Sequence, residues 1–290
     1  MTDEQPKYHA KADPQLEHSL LEIEIPPCPE ILIRIIAETG KEEPDFNRLS
    51  ELISADVALA GGLLKTTNSP FFIRPQRARS VHDALSILGL RVASHTIAGI
   101  ILRKAFPDSP SMIRFWEASA RTARLCAWLA ARLDIPGLNA DDAYTYGLFH
   151  DCGIPVLIGR FPNYKEVLGA ANLDAETEFT VREEALVQTN HAVVGCALAQ
   201  KWWLPEDMYV AIRHHHQVKA LAPESDLPLN SRLFIATTQL AEHIVQEQIG
   251  LDMTQEWPKL GAASLRTLKV DDEDLSFLYS EAQQILRSAE

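Results

Sequence analysis

The stretch Thr189 to Gln217, TNHAVVGCALAQKWWLPEDMYVAIRHHHQ, reads as two helices separated by a proline. Asn190 is a candidate N-cap, His191 and Gly195 share one helical face, and the first helix stops before Pro205. The second carries His214, His215 and His216 near its C-terminal end. Histidines there have an electrostatic use, because cationic or hydrogen-bonding side chains favour the negative end of the helix dipole. They also have a chemical one, since imidazole nitrogens bind divalent metals. Adjacent helical residues diverge by about 100°, so His215 and His216 cannot both face one ion without local distortion. His191 is open to the same two readings: Gly195 leaves space beside the imidazole for a packed helix or for a ligand.

Outward from this stretch the helical signal continues. PPCPEILIRIIAETGK (Pro26 to Lys41) sets Ile31, Leu32, Ile35 and Ile36 on one face and closes at Gly40. Asp45 caps a helix bearing Phe46, Leu49, Leu52 and Ile53, and Ser80 with Asp83 forms a capping box for a helix that stops at Gly89. A long helix is expected from about Ser111 to Asp134, with Ile113, Trp116, Ala120, Ala123, Ala127, Ala130 and Ala131 permitting close packing. The C-terminal run VDDEDLSFLYSEAQQILRSAE gives a last amphipathic helix with Leu275, Leu278 and Ile285, read as padding for the core. No alternating strand pattern interrupts these signals, so the fold class is all-α, a two-subdomain helical bundle. Proline-broken composition at Phe106 to Met112 divides the chain into a polar tail (1–24), an N-terminal helical subdomain (25–107) and a second helical subdomain with a C-terminal extension (108–290).

Composition narrows the function. With 27 Lys plus Arg against 40 Asp plus Glu, the formal charge of −13 repels phosphate backbones, and no nucleic-acid partner is expected. Cys28, Cys126, Cys152 and Cys196 show no C-x-x-C spacing, which excludes a disulfide framework and a cysteine zinc site and fits a cytoplasmic setting. The polar first residues carry no targeting signal, and no apolar run reaches the roughly 18 to 20 residues that cross a bilayer, so no membrane partner is expected.

The chemistry-bearing residues lie in the second half. LFHDCGIP (Leu148 to Pro155) places His150 beside Asp151 at the end of an apolar run, where a carboxylate can bridge two ions next to an imidazole. Such a centre would activate water against a phosphate ester. Cys152 is two residues from His150, a helical spacing at which side chains do not face one another, and it is a poor nucleophile candidate. The loop Asn68 to Ser80, with Phe71, Phe72, Arg74, Arg77 and Arg79, is either anchored to the core by its aromatics or presented to a partner or an anionic ligand.

Taken in order, ISADVALAGGLLKTTNSPFF, SVHDALSILGL, FWEASARTARLCAWLA, YGLFHDCGIPVL and the opening stretch resemble the HDOD domain, the HD-related output domain of bacterial signalling proteins. The likeness runs from about Ile25 to Ile249. It implies an HD-like helical fold, a bacterial cytoplasmic setting and a regulatory signal-transduction role without established catalysis, through signalling-protein partners or a small anionic or nucleotide ligand. The wider superfamily, including the HD-GYP cyclic-dinucleotide phosphodiesterases, holds divalent metals in a comparable core. Carried over by motif, His150 and Asp151 match its His-Asp pair, His191 the histidine of the H-x-x-x-G helix, and His215 with His216 the paired histidines. Two ligand positions fall at Ala118 and Gln239, residues that bind divalent ions poorly or not at all, and the Gly-Tyr-Pro sequence is missing after Gln217. The resemblance therefore implies a degenerate metal site with no catalytic residue. No cofactor is expected beyond a single divalent ion (Fe, Mn or Zn). The competing reading is a metal-dependent phosphohydrolase acting on a nucleotide or cyclic dinucleotide, with His150 and Asp151 catalytic.

Overall fold

The computed structural model describes residues 23–68, 77–106, 109–250 and 254–287, and every regular element among them is a helix. The first part holds α1 (Glu30–Thr39), α2 (Phe46–Ser54), α3 (Val57–Thr67) and α4 (Val81–Lys104). Short polar side chains start α2, α3 and α4. Asp45 accepts from the backbone of Asn47 and Arg48, Asp56 from Ala58 and Leu59, and Ser80 and Asp83 close a reciprocal capping box. The apolar faces of α1 to α3, with Leu32, Ile35, Leu49, Ile53, Leu59 and Leu63 fully buried, pack against α4 and one another. Phe71, Phe72 and Arg74 of the connecting loop lie outside the described residues.

Helix α4 corrects two expectations. The chain does not leave the helical path at Gly89; it kinks there (φ 74°, ψ 160°) and resumes helix to Lys104. A positive φ costs glycine little, which is why the break falls on that residue. The resulting 24-residue helix is long and apolar enough by composition to cross a membrane, contrary to the reading from run lengths, but more than half of its most apolar stretch is buried inside the protein and the kink divides it.

The second part runs through α5 (Pro110–Leu133), α6 (Ala140–Phe149), α7 (Gly153–Arg160), α8 (Tyr164–Leu173), α9 (Phe179–Val187), α10 (His191–Lys201), α11 (Glu206–His214), a 3₁₀ turn (Val218–Leu221), α12 (Leu229–Ile249), α13 (Glu256–Leu268) and α14 (Asp272–Arg287). Helix α5 starts at its Ser109 cap and Pro110, and buries Trp116, Ala123, Ala127 and Ala130 against α6 and α12, while Ile113 and Ala131 face outward. In α14, Leu278 and Ala282 join the core and Leu275 packs on it, so this helix does pad the body. The two parts meet through α4: Arg91 pairs with Asp142, and His95 Nδ1 donates to Thr145 Oγ1 at 3.0 Å, the Thr145 hydroxyl proton being given to the Asp141 carbonyl. The segment before α1 also reaches α10, where Lys201 donates to the Ile25 carbonyl and Trp202 to that of Pro26.

One close approach positions the site. A Cβ on Gly153 would stand 2.0 Å from the His191 carbonyl oxygen, and one on Gly195 would press on Ile212, the Gly153 amide and the Cys152 thiol. Only side-chain-free residues let the start of α7 lie on α10 at this distance, and that contact carries Asp151 to His191. Gly195 thus serves helix packing, and the packing assembles the site.

Candidate metal centre

Three elements converge here. Asp151 sits in the turn between α6 and α7, His191 is the first residue of α10, and His215 with His216 follow α11. The obstacle foreseen for adjacent helical histidines does not arise, because α11 ends at His214. In the turn beyond it the His215 and His216 rings lie 4.0 Å apart, centroid to centroid. His214 points elsewhere, to Gln217.

Nε2 of His191 lies 3.2 Å from Nε2 of His215, 3.0 Å from Nε2 of His216 and 3.3 Å from Asp151 Oδ1, and His215 Nε2 is likewise 3.3 Å from that oxygen. Each opposite nitrogen faces an acceptor: His191 Nδ1 meets Glu183 at 2.7 Å, His215 Nδ1 the Ile212 carbonyl at 2.7 Å, and His216 Nδ1 the Glu256 carboxylate. A proton held on each Nδ1 leaves three Nε2 lone pairs and a carboxylate oxygen aimed at one another. Four acceptors facing inward repel unless a cation lies among them. Nitrogen and oxygen donors about 2.0–2.1 Å from a tetrahedral ion stand about 3.3 Å from one another, close to the spacing observed. Imidazoles fixed through Nδ1 by carboxylate and carbonyl are the support that metal-binding histidines ordinarily have.

Electrostatics point the same way. Glu183 is fully buried, accepts from the Tyr164 hydroxyl as well as from His191, and belongs to α9. Glu256 opens α13 and is also held by Lys259 Nζ at 3.1 Å. Burial opposes charge on Glu256, yet His216 and Lys259 hold its carboxyl down at about 2. Among the imidazoles, burial and the neighbouring His216 push His215 down to about 3, whereas at His191 the Glu183 and Asp151 carboxylates outweigh burial and raise it to about 10. Without an ion, His191 rather than His215 carries the second ring proton. Phe179 of α9 stacks on the His216 ring at 4.5 Å, with 12° between the planes, and closes that side.

The other oxygen of Asp151 meets a different arrangement. Oδ2 lies 3.4 Å from His150 Nε2, which also meets Glu242 Oε1 of α12 at 3.0 Å, while His150 Nδ1 donates to the Gly147 carbonyl at 2.9 Å. Both ring nitrogens face acceptors, so His150 carries two protons. Burial opposes that charge, and Asp151 with Glu242 overrides it, holding the imidazole well above its ordinary value and, with help from His191 and His215, the Asp151 carboxyl well below its own. The Tyr146 hydroxyl nearby is buried, without a hydrogen-bond partner, and kept protonated by burial and by the negative charge of Asp151.

The structure thus brings His150, Asp151, His191, His215 and His216 together. It leaves Ala118 exposed on α5 and Gln239 buried on α12, one turn before Glu242, the acid of that helix that meets His150. Cys152 is buried against the Gly195 carbonyl with its thiol pushed far up by burial, which fits its reading as a poor nucleophile. Glu183, Glu242 and Glu256 were not singled out from sequence. For Glu183 a signal existed: Phe179, Thr180 and Glu183 recur at helical spacing and are buried.

The comparisons with known proteins agree with this architecture. An uncharacterised protein of Treponema pallidum (strain Nichols) is 30% identical over 217 residues, 73% of this chain, and the match spans about two fifths (41%) of that relative's length. A Geobacter sulfurreducens HDOD domain protein of unknown function superposes with a TM-score of 0.69 at 23% identity, over 95% of each chain. A Shewanella amazonensis SB2B protein, named as a candidate phosphohydrolase, superposes with a TM-score of 0.70 at 20% identity, over 95% of this chain and 96% of its own. At such identities these two likenesses show the fold. The HDOD domain model matches residues 25–218, and the chain belongs to the HDOD domain family.

Proposed function

We propose that this protein is a non-catalytic HDOD-type regulatory protein built around a single divalent-metal centre held by Asp151, His191, His215 and His216. The observation that carries this reading is the inward convergence of three imidazole lone pairs and one carboxylate oxygen at 3.0–3.3 Å, with every Nδ1 already engaged. Charge supports it too. Asp151, Glu183, Glu242 and Glu256 gather around the cluster against two fixed cations, doubly protonated His150 and Lys259. With His191 neutral, as a ligand must be, two negative charges remain, and one divalent ion neutralises them in place of the proton that His191 otherwise carries. Three nitrogens and one oxygen suit Zn, Fe or Mn. A bound ion there ties the α6–α7 turn, α10 and the turn after α11 into one rigid unit.

Hydrolysis is disfavoured by the donor set around His150. In a binuclear hydrolase both ions generate and place the attacking hydroxide, but here the second position is offered only His150, Asp151 and Glu242, with Ala118 exposed on α5 and the neutral amide Gln239 one turn from Glu242. Regulation instead has a route through α8 and α9, because Glu183 grips His191 and Phe179 stacks on His216. Occupancy of the centre therefore bears on how this hairpin sits, and a signalling partner or small ligand reading the hairpin would sense it. One feature favours the hydrolase reading: the two oxygens of Asp151 face the two groups separately, as a bridging carboxylate would.

Elemental analysis combined with turnover assays decides between them. We expect about one equivalent of metal and no hydrolysis of bis(p-nitrophenyl) phosphate or cyclic dinucleotides with added Mn, Fe or Zn. Two equivalents with a turnover abolished by His150→Ala would establish the hydrolase instead.

A further inference from the structure

Four non-glycine residues among those described have left-handed backbone: Asp134 (φ 48°), Gln188 (φ 60°), Trp203 (φ 64°) and Lys269 (φ 56°). Three have flexible or small polar side chains at helix ends; Trp203 is the aromatic exception. It follows α10 in a two-bond helix termination, with its own N–H donating to the Gln200 carbonyl at 3.1 Å and that of Leu204 to the Ala199 carbonyl at 3.0 Å. The residue at this point of such a termination takes positive φ, and glycine usually fills it because a side chain there is strained. Tryptophan therefore occupies a position where glycine would fold more easily.

Among the described residues nothing repays that strain. Trp203 is 71% exposed, whereas Trp202 beside it is buried and donates to the Pro26 carbonyl, so the packing at this corner is already provided. Strain retained without a structural return points to a use outside the fold. The surroundings of the indole indicate which. Lys201 is committed to the Ile25 carbonyl at 2.8 Å. Glu206 and Asp207 open α11 directly after Pro205, and both remain partly exposed there. Glu24 and Pro27 are exposed on the segment crossing the same corner, and the whole chain carries −13.

We propose that Trp203 anchors a docking surface for an arginine-bearing segment of a basic partner protein, its indole face taking the guanidinium and Glu206 accepting a guanidinium N–H. Arginine matches this chemistry better than lysine, because its planar group stacks on an indole while still donating to a carboxylate. The net negative charge favours approach of a basic partner and opposes a nucleic acid. This surface lies at the end of α10 opposite His191 and needs no metal.

The test uses the full chain and two capped peptides, Gly-Arg-Gly-Arg-Gly and Gly-Lys-Gly-Lys-Gly, titrated at physiological salt with binding followed by fluorescence anisotropy of a label on the peptide. The wild type should prefer the arginine peptide by about threefold or more, the scale of a cation–π contact. Trp203→Gly should abolish that preference while melting at the same or a higher temperature, since glycine relieves the left-handed strain. Glu206→Gln should weaken binding of the arginine peptide. Equal binding of the two peptides by the wild type, which is charge attraction alone, would overturn the proposal. So would a preference retained in Trp203→Gly, or a clear fall in that variant's melting temperature, which would make the indole a structural element.

Discussion

On one side of Asp151, Oδ1 faces His191 and His215, whose Nε2 atoms, with that of His216, point at one another while each Nδ1 is taken by an acceptor outside the cluster. On the other side, Oδ2 faces His150, whose two ring protons both find acceptors. The residue types are the same and the burial is similar. What differs is the partner of Nδ1 and the company at Nε2. Where Nδ1 is satisfied and the Nε2 atoms face one another, the arrangement offers several donors to one cation. Where Nε2 faces carboxylates, it already contains one, the imidazolium itself. A histidine cluster is therefore read by following its protons rather than by counting its rings. His95 supplies a control: it is largely buried, meets a hydroxyl with no carboxylate in contact, and burial pushes it down to about 4, with Asp142 opposing and Arg91 adding to the fall.

The first way to break the comparison is to remove a ring from each side. His191→Ala or His215→Ala is expected to lower the affinity for a divalent ion by more than about 100-fold, since losing a ligand exceeds the 10–100-fold cost of losing its support. His150→Ala should change affinity by less than about tenfold, as measured by competition with a chromogenic chelator. Equal losses on both sides would erase the distinction.

Stability should divide in the same way. At a free metal concentration about 100 times its dissociation constant, the wild type should gain about 2.7 kcal/mol in denaturant unfolding. His150→Ala, compared with and without metal, should keep most of that gain, and His191→Ala should keep none of it.

Glu183→Gln probes the support of His191. The amide keeps the shape but not the charge that holds Nδ1, so metal affinity should fall by about 10- to 100-fold. An affinity within a factor of two of wild type would mean that Glu183 serves only to bury Tyr164 and α9.

His95 sharpens the control. Its folded value lies below its unfolded value of 6.5, so the unfolded chain takes up the proton first, and this group removes stability as pH falls from about 6.5, levelling near 4. At about 1.4 kcal/mol per pKa unit, the loss is at most about 3 kcal/mol. Chemical denaturation of His95→Gln should show a flatter profile across that window than the wild type; an unchanged slope would remove His95 from the account.

Much of this architecture was legible in the sequence, for identifiable reasons. Asp45, Ser80 with Asp83, and Asn190 cap helices where local hydrogen bonding predicts, because a cap depends on neighbours two or three residues away. His150, Asp151, His191, His215 and His216 stood out because histidines are few and fall in motifs. Glu183, Glu242 and Glu256 did not, because they are three among 40 acidic residues and meet their histidines across 8, 92 and 40 positions of chain. Gly89 was read as a stop because its sequence signal is the same for a terminated helix and a kinked one; burial of the following turn in the core decides for the kink. The convergence of His215 and His216 depended on α11 ending at His214, whereas the sequence reads as helix through all three histidines.

The most direct measurement is the metal content per chain of three purified proteins, each loaded with excess Zn or Mn and freed of unbound ion. The expected result is one equivalent in the wild type, one in His150→Ala and none in His191→Ala. Two equivalents in the wild type, or none, or loss of the ion in His150→Ala, would contradict a single centre on the Oδ1 side of Asp151.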